Sequence, residues 1–273
     1  MPITLINGVR LFWEQRGNEG EPLIFVHGSW GDHHNWDAAV AAFADSFRVF
    51  TYDRRGHSQS DRPATQGSIE EDVADLAEFI RMMKIAPAHV IGNSGGAAIV
   101  LKLAAAESDL FASLVVHEPP LICMIQDHPM VPMVRQRIGA VVEMLRAGDM
   151  EGGARQFVET IAFGPGMWDR LSPEMRRTFV FNAPTFLDEL NEPESVMSVD
   201  LQQLGAFRKP MLLTQGDQSA PFFGVILERI AAALPHARRH TFHRAGHVPH
   251  LTVPDQYVSI VRDFISGVAV TQS

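Results

Sequence analysis

Short apolar runs alternate along the chain with longer stretches in which apolar residues recur every three or four positions. Arg10–Arg16 and Leu23–Val26 read as strands, the second wholly apolar and bounded by Pro22 and Gly28. Phe47–Tyr52 is a third. Ser68-Ile69-Glu70-Glu71 has the form of a capping box, and Ile69, Val73, Leu76, Ile80 and Met83 follow at helical spacing. Val90-Ile91 is a short strand, Ala97–Ala106 a helix and Leu114–Val116 a strand that Pro119-Pro120 stops. Later come the strand Met211–Thr214, a helix over 223–234, a strand over 239–242 and a closing helix over 254–265. Strands that alternate with helices predict an α/β fold, with a mostly parallel sheet flanked by helices on both faces.

One stretch breaks the alternation. From about Cys123 to Arg208 only helical signals occur, rich in Met130, Met133, Met144, Phe157, Phe163, Met167, Trp168, Phe179, Phe181, Phe186 and Met197. This predicts a helical lid over 123–208, inserted into a core made of 1–122 and 209–273. Most of the apolar stripe is expected to be core of that helical unit, with a few residues lining a pocket.

Composition narrows the classes. At 46% hydrophobic and 20% charged, the 273 residues read as a soluble globular protein large enough for a substantial core. The net charge of −9, with no basic run, argues against nucleic acid or an anionic membrane as partner. The single cysteine, Cys123, forbids an intramolecular disulfide and suits a cytoplasmic setting. Met1-Pro2-Ile3-Thr4 lacks the charged n-region of a signal peptide, and no stretch approaches the ~20 apolar residues of a membrane span.

Gly92-Asn93-Ser94-Gly95-Gly96 lies between a short apolar strand and a helix, the setting of a G-x-S-x-G nucleophile elbow. A serine at so sharp a turn adopts a strained backbone, and the positions two before and two after it crowd together, so glycine is needed at both. The strain lifts the hydroxyl clear of the sheet, near a helix N-terminus. No Gly-Lys-Ser/Thr follows, which removes a phosphate loop. On these residues the chain resembles the α/β-hydrolase superfamily over nearly its whole length.

The resemblance implies further parts. His27-Gly28-Ser29-Trp30-Gly31 is similar to the family's H-G-x segment, which would make the backbone N–H of Ser29 one oxyanion donor and that of Gly95 the other. One such donor is worth on the order of 3 kcal/mol in the transition state. His27 is expected to fix the loop, since the spacing of His27, His33 and His34 fits no metal motif. His247, in Ala245-Gly246-His247-Val248, resembles the catalytic-histidine loop, and it competes with His243 and His250. Asp53-Arg54-Arg55-Gly56-His57-Ser58-Gln59-Ser60 resembles the D-x-R-G-x-G-x-S loop, with Ser58 where the second glycine is usual, and is expected to be scaffold.

The acid of the triad has two candidates. Most of the superfamily carries it after the late strand, where this chain has Thr214-Gln215-Gly216-Asp217-Gln218-Ser219, with Ser219 at the usual place and Asp217 two residues early. Glu118, after the strand that follows the nucleophile helix, stands where a minority carries it. Its His117-Glu118 context, and Phe222-Phe223 further on, resemble the zearalenone-lactonase-like branch. Glu118 is favoured and Asp217 is kept as the alternative.

The expected function is a serine hydrolase that cleaves an ester or lactone of a hydrophobic small molecule through an acyl-enzyme, with no metal or cofactor. The alternatives are a carbon–carbon bond hydrolase or cofactor-free perhydrolase on the same triad, a ligand-binding receptor of the same fold, and a partner-binding protein with an idle triad. Epoxide and haloalkane chemistry is disfavoured, because it needs an aspartate where Ser94 stands.

Overall fold

A computed structural model describes residues 2–65, 67–191 and 197–271, with the side chains of 269–271 left aside; Met1 and the stretch 192–196 within the expected lid lie outside the described residues. The centre of the fold follows from strand β3, Pro22–Val26, in which all five residues are buried. Leu23 and Phe25 face one core, with α1 (Asp37–Phe43) and the closing helix behind it, while Ile24 and Val26 face the other. A strand covered on both faces has no solvent side to mark with polar residues, which is why it reads as an unbroken apolar run.

Around it runs an eight-stranded sheet in the order β1-β2-β4-β3-β5-β6-β7-β8. The strands are β1 Ile3–Ile6, β2 Val9–Arg16, β4 Arg48–Tyr52, β5 Ala88–Asn93, β6 Phe111–His117, β7 Met211–Gly216 and β8 Arg238–Phe242. From β3 to β8 every pairing is parallel, and β1 and β2 are antiparallel additions at one edge. Helices α2 (Ile69–Met82) and α3 (Gly95–Ala106) pack on one face, and α1 packs with the closing helix on the other. The loops after β3, β4, β5, β6, β7 and β8 therefore gather at one edge, the usual ligand edge of a parallel sheet.

The predicted elements occur, most of them longer than their sequence signal. The capping box at Ser68 is formed, with Glu71 as its partner. The predicted Val90-Ile91 strand extends over Ala88–Asn93, and the closing helix runs to Thr271. Two elements were not expected. Strand β1 pairs with β2 through Asn7-Gly8, whose φ values of +45° and +83° make the tight hairpin that an Asn-Gly pair favours. Helix α1 grows out of a 3₁₀ turn over His33–Trp36 capped by Asp32, so no separate N-cap announces it.

Between β6 and β7 the described chain is helical throughout. It comprises α4 (Val131–Arg146), α5 (Met150–Phe157) running into a π-helical turn over Val158–Ala162, α6 (Pro173–Asn182), α7 (Thr185–Glu189) and α8 (Leu201–Leu204), with 3₁₀ turns over Ile122–Ile125 and Trp168–Arg170. Helices α9 (Phe222–Ala233), α10 (Pro249–Thr252) and α11 (Pro254–Thr271) complete the set. Of the apolar stripe, Trp168 and Phe179 pack in a core with Trp30, while Phe181 is exposed, a departure from the expected core or pocket role. No helix among the described residues is long and apolar enough to cross a membrane.

Candidate active site

The sharp turn after β5 puts Ser94 at φ 55° and ψ −122°, outside the regions an L-residue normally occupies. Its N–H donates to the His117 carbonyl (2.9 Å), which ties the turn to β6. The flanking glycines answer to close backbone approach. A Cβ at Gly92 would stand 2.6 Å from the Gly96 carbonyl oxygen, and one at Gly96 would stand 2.3 Å from the Val26 oxygen. Neither partner is a flexible side chain, so Gly96→Ala is expected to cost about 3 kcal/mol of stability. The midpoint of denaturant unfolding measures it, and a shift under a tenth of that would show that the turn relaxes freely.

Glu118 and His247 meet behind Ser94. Because β6 and β7 are neighbours, the backbone N–H of Gly216 donates to Glu118 Oε1 at 2.8 Å. Glu118 Oε2 accepts the Nδ1–H of His247 at 2.7 Å, and the carboxylate is completely buried. Burial alone raises this carboxyl, but the His247 hydrogen bond and the neighbouring His117 and His247 outweigh it and hold Glu118 down at about 2. One face of the His247 ring stacks on Phe223, with centroids 4.9 Å apart, and the Asn93 amide donates to the His247 carbonyl at 3.0 Å. Asn93, the variable residue of the elbow, thus fixes the histidine loop, a contact across 154 positions that no local pattern reveals.

The alternative acid is elsewhere. Asp217 accepts from the Ala245 N–H at 3.3 Å and lies 3.4 Å from His243 Nδ1, and His243 itself is largely exposed. Asp217 still runs alongside β8 here, since its N–H donates to the Phe242 carbonyl and so continues the parallel ladder. His250, the other competing histidine, is buried against Trp36, away from any hydrogen-bond partner among the described residues. Ser219 donates its N–H to the Gly216 carbonyl.

Ser29 and Gly95 are brought together as well. A Cβ on Gly95 would lie 2.7 Å from Ser29 Oγ and 3.2 Å from the Ser29 nitrogen, and one on Gly28 would lie 3.1 Å from the Ser94 Cβ. His27 anchors this loop: its Nδ1 lies 2.8 Å from the Gly28 carbonyl, and its Nε2 accepts the Arg54 N–H at 3.0 Å. Burial, with the Arg54 charge, pushes His27 down to about 3, so the ring is neutral. Asp53 accepts from His33 Nδ1 (2.6 Å) and from the N–H groups of His33 and Gln59. Asp32, His33 and Asp53 are close enough to suggest ligands for a cation, yet His33 and Asp53 are bonded to each other and Asp32 accepts from the His34 N–H and the Ser58 hydroxyl, as loop scaffold. Ser58, in place of the usual second glycine, takes φ 41° and is held there by the Asn182 side chain.

Ser29, Ser94, Gly95 and His247 open on one cavity of about 640 Å³, counted out to its mouth. Its other walls are apolar apart from Glu189, and include Ile122, Ile138, Phe157, Phe186 and Met197 from the helical segment. A second chamber shares His247, Phe222 and Phe223 with the first, and is lined by polar groups such as Arg137, Thr160 and Gln218.

Residues 23–260 match the sequence model of the Alpha/beta hydrolase family. The chain is 34% identical over 110 residues to the dihydrolipoyllysine-residue acetyltransferase component of an acetoin cleaving system from Pseudomonas putida, a match to 40% of this chain. It spans only 30% of that relative's length. With a proline iminopeptidase from Heyndrickxia coagulans it shares 22% identity over 91% of this chain and 92% of the relative. Among solved structures, the enol-lactonase from Burkholderia xenovorans superposes with a TM-score of 0.79 at 21% identity, covering 97% of this chain and all of that one.

Proposed function

The chain belongs to the alpha/beta hydrolase family, and on that premise we propose that it is a serine hydrolase cleaving a carboxylic ester or lactone of a hydrophobic small molecule. The observation that carries the reading is the single apolar cavity onto which Ser94, Ser29, Gly95 and His247 all open, with His247 bonded from behind to the buried Glu118. An apolar wall with a few convergent polar groups is what a hydrophobic small molecule with one reacting carbonyl requires.

In this reading Ser94 Oγ attacks the carbonyl carbon as its proton passes to His247 Nε2. The carbonyl oxygen becomes the oxyanion and takes the N–H groups of Ser29 and Gly95. Glu118 holds His247 in the tautomer with Nδ1–H and steadies the imidazolium. The C–O bond to the leaving alcohol then breaks, and His247 returns its proton to that oxygen. Water, deprotonated by His247, attacks the acyl-Ser94 ester; the acyl C–O bond to Ser94 then breaks, His247 returns the proton to Ser94 Oγ, and the acid is released. In a lactone the alcohol stays tethered, and one ring-opened product results. The leaving oxygen faces His247, so the second chamber beyond that ring is the place for the alcohol half. Residues 123–208 act as the lid over a core of 1–122 and 209–273. The unbridged Cys123 suits a cytoplasmic setting.

A panel of aryl esters and large lactones tests the proposal, together with a fluorophosphonate probe. Hydrolysis well above the buffer rate is expected, with the probe bound at one serine, identified as Ser94 by peptide mass spectrometry. A folded sample that turns over no member yet takes the label would shift the assignment to a carbon–carbon bond hydrolase or a ligand-binding receptor, and one that also takes no label to a partner-binding protein with an idle triad.

A further inference from the structure

One carboxylate in the cavity wall has no part in the scheme above. Glu189, at the end of α7, is buried to 4% exposure and lines the cavity beside Ser29, Ser94 and Gly95. Its Oε2 accepts the Ser29 hydroxyl at 2.6 Å across 160 positions of sequence. Its Oε1 accepts Arg54 Nη2, also at 2.6 Å, and Arg54 is held in turn by Asp72 through Nε (3.1 Å) and Nη2 (3.2 Å). Arg54 Nη1 has no partner among the described residues and points to the same region, 3.6 Å from where a Cβ on Gly95 would stand.

A negative charge beside a developing oxyanion opposes the reaction, and burying it is costly. Arg54 offsets both effects, so the arrangement spends a fully buried ion pair to place one acceptor on one hydroxyl. That hydroxyl belongs to a loop that His27 anchors at its start but that is held from outside beyond Ser29. Trp30, the next residue, sits at φ 70°, a conformation that persists only where the surroundings impose it. The surroundings are the helical segment. The Asn182 amide donates to the Trp30 and Gly31 carbonyls (3.2 and 2.9 Å), and the Trp30 ring stacks on Phe157 with centroids 4.6 Å apart. Thr185 Oγ1 lies 3.0 Å from His57 Nε2. Asn182, Thr185 and Glu189 are spaced so that one side of α6–α7 grips the loops after β3 and β4 together.

We propose that Glu189 is a positioning residue of the oxyanion hole: it holds Ser29 through its hydroxyl so that the Ser29 N–H converges with that of Gly95, and the hole is complete only when α7 is seated on the sheet. The inference rests on the serine-hydrolase reading. In Glu189→Gln the amide oxygen can face Arg54 while the amide N–H donates to the Ser29 hydroxyl, which accepts as well as donates, so the contact that holds Ser29 is kept.

Phosphonylation of Ser94 by a fluorophosphonate tests this without knowledge of the natural substrate, because charge develops on the phosphonyl oxygen in the same hole. Ser29→Ala and Glu189→Ala are each expected to lower the bond-forming rate about tenfold to hundredfold, with reversible binding of the probe changed less than about twofold. The double variant is expected to be no slower than the slower single one, the mark of a shared path. Glu189→Gln restores the rate to within about threefold of wild type. Should Glu189→Ala fail to fold, Ser29→Ala and Glu189→Gln still decide. Ser29→Ala at the wild-type rate, or strictly multiplicative losses in the double variant, would reduce Glu189 to a structural ion-pair member and overturn the proposal. Wild-type protein that takes no label overturns the hydrolase reading instead, and this inference with it.

Discussion

Glu118→Gln is expected to lower kcat on any accepted ester about ten-thousandfold, while Asp217→Asn stays within about twofold of wild type. The first effect follows from the two bonds Glu118 makes. Both of its oxygens accept, one from the Gly216 N–H and one from His247 Nδ1–H. A glutamine has one acceptor and one donor at the same places, so either arrangement sets two donors face to face. If the amide nitrogen turns to His247, the imidazole keeps its proton on Nε2 and cannot take one from Ser94. If it turns to Gly216, a buried N–H loses its partner. Glu118 is held at about 2, so its charge persists at every working pH, and no acid limb of the rate profile is due to it. Asp217 accepts from Ala245 and pairs with the exposed His243, and neither contact touches His247. Steady-state rates of the two variants, with circular dichroism to show that both are folded, measure the contrast. A larger loss in Asp217→Asn would move the acid to the loop after β7.

This contrast also marks where the sequence stops being readable. The elbow at Ser94 and the Gly246-His247 pair are legible because their demands are local: a sharp turn needs glycines at fixed offsets, and a strand or helix beside it leaves its own pattern. Nothing local to Glu118 or Asp217 tells which of them lies beside His247, because that depends on how β6, β7 and β8 line up across the sheet. Asn93, Asn182, Arg54 and Glu189 are harder still. Each partners a group between 18 and 160 positions away, and each alone is an ordinary polar residue in a strand, helix or loop. Strand β1 is a different case, since Asn7-Gly8 is a recognised hairpin turn and could have been read. Val90-Ile91 marks only the middle of its strand, because His89, Gly92 and Asn93 around it carry no apolar signal of their own.

Stability is expected to fall below pH 6.5, chiefly through four of the five buried histidines that burial lowers, His89 being the fifth. Burial is the first cause in each case: it holds His27 at about 3 and His117 at about 4, and puts His57 and His250 well below the ordinary value. The unfolded chain binds a proton at each as the pH drops through about 6.5, whereas the folded chain binds it only at lower pH, near 4 for His117 and near 3 for His27. Their contribution is therefore complete above 6.5 and is lost as the pH falls, at about 1.4 kcal/mol per pH unit for each histidine. His33 opposes the trend. Its pairing with Asp53 raises it despite its burial, so its contribution is present in acid and lost as the pH rises. Asp32, Asp75 and Glu189, raised by burial, oppose it too, yet the slope of even one such histidine is a sizeable part of the stability of an ordinary domain. His250 isolates one proton of it. Both ring nitrogens lack a partner among the described residues, and the ring stacks on Trp36 with centroids 4.2 Å apart, so a phenyl ring preserves the packing and removes the titration. His250→Phe is expected to raise the urea midpoint at pH 5.5 clearly more than at pH 7.5, flattening the pH slope by about 1.4 kcal/mol per unit. An equal shift at both values would mean that His250 is protonated in the folded chain, which requires an acidic partner or water that its apolar surroundings do not provide.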